Sequence, residues 1–180
     1  KAKKIYVIGS KSGAPLASFL GFYLNLIWDN VVAVHTNSSS EIFEQLIRID
    51  EDDVIIGISF PRYSMRTLKA LEFASNRKAK VSTLTDSVHS PMTLYSSCNL
   101  IARSDMASIV DSLVAPLSVV NALVVALCMK KQDEVITTLE TLERIWDEYQ
   151  VYSKDELNMV DDKVELSSSK AQIDGEETYE

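Results

Sequence analysis

Between residues 54 and 67 the chain reads Val-Ile-Ile-Gly-Ile-Ser-Phe-Pro-Arg-Tyr-Ser-Met-Arg-Thr. The hydroxyls of Ser59, Tyr63, Ser64 and Thr67 and the guanidinium of Arg62 are thus gathered between an apolar β-branched strand and a helical pattern. Donors at such a junction suit an anion. The first N–H groups of a helix and its partial positive charge favour a phosphate or carboxylate, and an arginine adds charge-assisted bonds. A plainer reading stands beside this one, in which Ser64 is only a helix N-cap and Arg62 a solvated side chain. Proton-transfer chemistry would need a Glu or His as general base beside the bound ligand, and the candidates are Glu41, His35 and His89. His35 ends a strand, His89 lies in a polar loop, and Glu41 falls in the first turn of a helix, where the dipole alone favours an acid. None is paired with a second catalytic group. No Ser/His/Asp order, metal-ligand cluster or nucleotide-binding glycine loop is present, so no cofactor or metal is expected.

The elements that must hold these residues follow from apolar periodicity. Ile5 to Ile8 predicts a strand, and Leu16, Phe19, Leu20, Tyr23, Leu24 and Ile27 recur as one face of a helix ending near Asp29-Asn30. Val31 to Val34 predicts a second strand, followed by a helix over 39–49 with Ile42, Phe43, Leu46 and Ile47 inward and its cap among Asn37 to Ser40. Val54 to Ile58 is the central strand, and a helix runs from Ser64 to about Arg77. Val81 to Leu84 predicts a fourth strand, Thr85 to Pro91 a turn-rich loop on the same rim, Met92 to Tyr95 a helical turn, and Asn99 to Ala102 a fifth strand. Ser112 opens a nearly all-apolar helix to Lys131, and an amphipathic helix from Asp133 to about Tyr149 comes last. Strands alternating with helices mean right-handed βαβ units: an α/β fold, a three-layer αβα sandwich around a five-stranded parallel sheet.

Composition sets the outer limits. A chain of 180 residues, 46% apolar, suits one α/β domain with a buried sheet. The net charge of −8 divides as +2 over residues 1–133 and −10 over residues 134–180, which gives no basic face for nucleic acid. After Val151 periodicity fails, and residues 151–180 are expected to form an acidic C-terminal tail beside a domain over 1–150. Cys98 and Cys128 sit in apolar sequence and match no metal or redox spacing, so both are expected as reduced core residues of a cytoplasmic protein. No export signal follows Lys1, and Leu113 to Met129 reads as a buried helix rather than a membrane span. Since that helix is apolar nearly all round, it is expected to pack on the sheet with one side and on a second copy with the other. The chain opens almost directly on a strand and without methionine, which suggests a fragment of a longer protein.

With strand–Gly-Ser-Lys-Ser-Gly–helix, strand–Ser-Phe-Pro-Arg-Tyr-Ser–helix and strand–Thr-Asp-Ser…Ser-Pro in this order, the chain resembles the SIS (sugar isomerase) domain. It is most similar to the effector-sensing C-terminal domain of RpiR-type bacterial transcription regulators. The resemblance covers about residues 3–131 and rests on 58–64, 85–87 with Ser90-Pro91, and Asp111-Ser112. It implies a flavodoxin-like domain that forms homodimers, with pairing into tetramers left open, and that binds a sugar phosphate at the strand C-termini. DNA would be met only through an N-terminal helix-turn-helix domain outside these residues. The family's phosphate loop reads Ser-x-Ser-Gly-x-Thr; here Ser59 and Ser64 match its first and last positions, while Pro61 and Arg62 replace Ser and Gly. Its first loop, Gly-x-Gly-x-Ser, becomes Gly9-Ser-Lys-Ser-Gly13, with Lys11 and Gly13 at the changed positions. By this resemblance a phosphosugar would bridge Ser10, Lys11 and Ser12, then Ser59, Arg62, Tyr63, Ser64 and Thr67, then Asp86 and Ser87. A sensor is expected rather than an isomerase, with a dimerisation module of degenerate pocket as a third possibility.

Overall fold

The computed structural model describes residues 2–35, 38–105 and 112–152. Lys1, Thr36, Asn37, residues 106–111 and residues 153–180 lie outside the described residues, and with them Asp111 and most of the acidic segment. The apolar runs form β1 (Ile5–Gly9), β2 (Val31–Val34), β3 (Val54–Ile58), β4 (Lys80–Thr85) and β5 (Cys98–Ile101). Between them stand α1 (Gly13–Asn25), α2 (Ser39–Leu46), α3 (Met65–Asn76) and a single 3-10 turn (Pro91–Leu94); α4 (Val114–Lys130) and α5 (Gln132–Glu148) follow. The sheet runs β2-β1-β3-β4-β5 with every neighbouring pair parallel, and Ile5 lies opposite both Val31 and Val54. The fold is the expected three-layer α/β sandwich.

Alternation along each strand feeds two cores. Tyr6, Ile8, Ile55 and Val81 pack against Ile42 and Leu46 of α2 and Ala70, Leu71 and Ala74 of α3. Val7, Ile58 and Leu84 pack against Leu16, Leu20 and Leu24 of α1 and Val120 and Val124 of α4. Burial on both faces is why these strands read as continuous apolar runs. Each fully buried Leu or Ile adds about 1.5–3 kcal/mol, so the sheet is a rigid base for the loops at its ends.

The structure departs from expectation at three places. Helix α1 ends at Asn25, not near Asp29: the Leu24 carbonyl accepts both Ile27 N–H at 3.0 Å and Trp28 N–H at 2.9 Å, closing the chain into a turn that still buries Ile27. Helix α2 stops at Leu46, leaving Ile47 61% exposed while Ile49 is buried. The turn after it is locked by Asp50 N–H on Asp53 Oδ2 at 3.1 Å. Cys98 is not a core residue, since it is exposed on β5, an edge strand with only β4 beside it, whereas Cys128 is half-buried and packs against the α1/α4 core.

Helix α4 buries Pro116, Val120 and Val124 but leaves Val114, Val125 and Met129 exposed. No single described helix is long and apolar enough to cross a membrane. Two compact units divide the chain, Lys1–Ile136 and Thr137–Glu180. The sheet belongs to the first. In the second, most of α5 carries exposed Leu139 and Ile145, Tyr149 just after it is exposed too, and the Trp146 ring meets Tyr152 edge-on with centroids 5.3 Å apart.

Candidate functional site

The sheet order places β1 between β2 and β3. From β1 the chain leaves through α1 on one face, and from β3 it leaves through α3 on the other. The two loops therefore part at the C-terminal ends of β1 and β3, which is where open α/β sheets form their ligand crevice. A crevice of ≈ 280 Å³ opens there, lined by Ser10, Lys11 and Ser12 after β1 and by Ser59, Phe60, Pro61, Arg62 and Ser64 after β3. Its floor is tight. A Cβ on Gly13 would stand 2.6 Å from the Ile58 carbonyl oxygen, so the first turn of α1 rests directly on the end of β3.

Three lining hydroxyls accept hydrogen bonds from within the protein. Ser59 Oγ accepts Ser64 N–H at 3.2 Å, Ser64 Oγ accepts Thr67 N–H at 3.5 Å as the α3 cap, and buried Ser10 Oγ accepts the Thr67 hydroxyl at 3.2 Å. A hydroxyl that already accepts has its own proton left to donate. Each of the three serines thus keeps a proton it can donate to an anion. Ser12, which opens α1 in helical geometry, makes no cap bond with its side chain.

Two cations join these hydroxyls, each in a backbone conformation that disfavours them. Among the described residues other than glycine, Lys11, Arg62, Lys78 and Gln150 have positive φ, at 55°, 64°, 63° and 51°. Lys78 and Gln150 follow the ends of α3 and α5, where a left-handed residue is usual. Lys11 and Arg62 end no helix. They line the crevice at the two positions where the resembling loops carry glycine, and a left-handed conformation costs a side-chain-bearing residue about 1–3 kcal/mol. Strain of this kind persists where surrounding structure fixes it. Phe60, 3% exposed, is held in the α1/α4 core, and the Tyr63 hydroxyl is bonded to Asp86, so Arg62 sits between two anchors.

Of the residues expected to meet ligand, Ser10, Lys11, Ser12, Ser59, Arg62 and Ser64 line the crevice. Tyr63, Thr67, Asp86 and Ser87 do not. Thr67 is fully buried beneath Ser10, Tyr63 donates to Asp86 Oδ1 at 2.8 Å, Thr85 donates to the same oxygen at 3.2 Å, and Ser87 Oγ accepts His89 N–H at 3.1 Å. Burial first, and the bond to Asp86 next, raise the Tyr63 phenol above its ordinary pKa. These four brace the rim from behind. Phe60 and Pro61 line the crevice without having been singled out; their place inside the Ser59-to-Ser64 loop was the available signal. The candidate bases Glu41, His35 and His89 are not among the described lining residues. Gln45 holds the backbone of His35 at both N–H and carbonyl, and Ser38 caps Glu41 N–H.

A family model of the SIS domain matches residues 1–126. The chain belongs to the SIS domain family. Among solved structures, this SIS domain is similar to the sugar isomerase domain of an RpiR transcription factor from Sphaerobacter thermophilus, at 27% identity and a TM-score of 0.75 over 79% of each chain. It also resembles the Vibrio vulnificus NanR protein complexed with ManNAc-6P, at 21% identity and a TM-score of 0.69, covering 80% of this chain and 55% of that one. A putative sugar-phosphate isomerase from Listeria monocytogenes shares the fold at 16% identity and a TM-score of 0.56, over 87% of this chain and 74% of that one. A comparison with curated proteins returned no match.

Proposed function

We propose that this SIS domain is the effector-sensing part of an RpiR-type bacterial transcription regulator and binds a sugar phosphate, or a related carbohydrate derivative, between the loops after β1 and β3. The observation that carries the reading is the crevice itself: serines with protons left to donate, Arg62 at the N-terminal end of α3, and Lys11 on the facing loop after β1. Its likeness to the Sphaerobacter thermophilus RpiR domain supports the regulator role. The ManNAc-6P held by NanR supports a phosphorylated sugar as the ligand class. The domain would work as a dimer through the outer face of α4, where Val114 and Met129 are 74% and 75% exposed, and DNA would be bound by a separate N-terminal domain. Ligand-induced change in that packing would alter the spacing of the DNA-binding domains.

Isomerase chemistry is the second reading, suggested by the fold shared with the Listeria monocytogenes protein. The described lining supplies donors and cations, which suit holding an anion, whereas isomerisation asks for a base.

Thermal unfolding against phosphorylated and unphosphorylated sugars tests the site. A ligand at a hundred times its dissociation constant adds about 2.7 kcal/mol, or about 5–10 °C for a chain of this size. Shifts confined to phosphorylated sugars and lost in Ser59→Ala and Arg62→Ala are expected. No shift with any phosphorylated sugar would sink the reading. Ligand-dependent operator binding by the full-length protein separates the regulator from an enzyme, which would instead turn over a ketose or aldose phosphate.

A further inference from the structure

The two strained cations belong to different loops. Arg62 lies between β3 and α3, beside the Ser59 and Ser64 donors at the helix end, while Lys11 lies in the loop after β1. A single phosphate is already served by the first group. It has a helix N-terminus, hydroxyl donors and a guanidinium that matches two phosphate oxygens. Lys11 stands on the facing loop, at a φ of 55° that glycine would suit better, so its side chain is kept there against a conformational cost. What it adds is a positive charge on the other loop bordering the same crevice. At ≈ 280 Å³ the crevice is the size for a ligand no larger than a monosaccharide derivative, so a ligand seated on α3 also comes within reach of the β1 loop.

We propose that the crevice selects a sugar carrying two anionic groups, a phosphate held at α3 and Arg62 and a second anionic group met by Lys11. Phosphorylated sugar acids and sugar bisphosphates share this chemistry. Lys11 is then a specificity residue: it discriminates against sugars with a single anionic group through the second group rather than through sugar shape. The inference rests on the crevice being the anion site proposed above.

Affinities of the protein and of Lys11→Gly for 6-phosphogluconate, fructose 1,6-bisphosphate, glucose 6-phosphate and inorganic phosphate test it. Glycine is at ease with the left-handed backbone here, so Lys11→Gly is expected to fold. The expected result is that at least one probe with two anionic groups binds about tenfold or more tightly than glucose 6-phosphate, the size of one well-placed partly exposed charge pair. Lys11→Gly should remove that advantage while lowering glucose 6-phosphate affinity much less. Preference for 6-phosphogluconate alone identifies the second group as a carboxylate, and preference for the bisphosphate alone identifies a second phosphate. Glucose 6-phosphate binding as tightly as both probes with two anionic groups overturns this inference and leaves the anion site standing. So does an equal proportional loss for all probes in Lys11→Gly. If no phosphorylated probe binds, the anion site itself is refuted, and the inference with it.

Discussion

Tyr63 and Asp86, 23 positions apart in sequence, are joined by a 2.8 Å hydrogen bond that ties the loop after β3 to the loop after β4. Tyr63→Phe removes the donor and leaves Asp86 Oδ1 with the Thr85 hydroxyl at 3.2 Å. A bond to a half-buried carboxylate is worth about 1–2 kcal/mol, so the melting temperature is expected to fall by about 2–8 °C. Calorimetry measures this directly. An unchanged melting temperature would mean that the clasp does not stabilise the fold.

Two phenols, buried Tyr6 and half-buried Tyr63, give the stability an alkaline limit. Burial raises Tyr6, with the Asp53 and Asp50 charges adding to it, and burial with the Asp86 bond raises Tyr63. A group whose native pKa lies above its unfolded value of about 10 contributes stability in full below that value and loses it as pH rises through the native one. Stability should therefore decline above about pH 10, and less steeply in Tyr63→Phe. Denaturant unfolding across pH 8–11 tests the slope.

Adding a methyl group at three glycines should give three different outcomes. At Gly13 the new Cβ meets the Ile58 carbonyl oxygen at 2.6 Å, backbone that cannot step aside, and Gly13→Ala should cost about 1–3 kcal/mol. At Gly57 it meets the Leu71 methyls at 2.8 Å, the far end of a side chain, and the loss should be smaller. At Gly21, inside α1, the nearest atom is Ala33 Cβ at 3.4 Å, and Gly21→Ala should stabilise by up to about 1 kcal/mol. Urea midpoints rank the three, and any other order contradicts this packing.

Replacing Arg62 by glycine should move stability and binding in opposite directions. Arg62→Gly relieves a left-handed φ of 64° and is expected to raise stability by about 1 kcal/mol while weakening phosphate-ligand affinity by about tenfold. Joint loss of both would mean that Arg62 is a structural residue of the loop.

The sheet was legible because strands buried on both faces are apolar throughout, and β3 runs from Val54 to Ile58 as its run of apolar residues indicates. Helix ends were less so: whether Leu24 accepts from Ile27 and Trp28 depends on how the chain must turn to reach β2. At the site, residue types showed which loops carry donors but not which way each donor faces. Thr67 and Tyr63 were expected to meet the ligand, yet their hydroxyls are bonded to Ser10 and Asp86, and Thr67 is fully buried. The left-handed backbone of Lys11 and Arg62 had one trace in the sequence: both stand where the resembling loops have glycine. Cys98 looked apolar by its neighbours because an edge strand keeps strand-like sequence while losing one neighbour.

The loop from Ser59 to Ser64 is fastened at Phe60 in the core and at Tyr63 on Asp86. A loop fastened at both ends has little ordering left to do when a ligand arrives, so capture is not slowed by loop closure. Related ligands should then arrive at similar rates and differ chiefly in how long they remain. For a sensor this makes residence time, rather than encounter, the quantity that distinguishes one sugar from another.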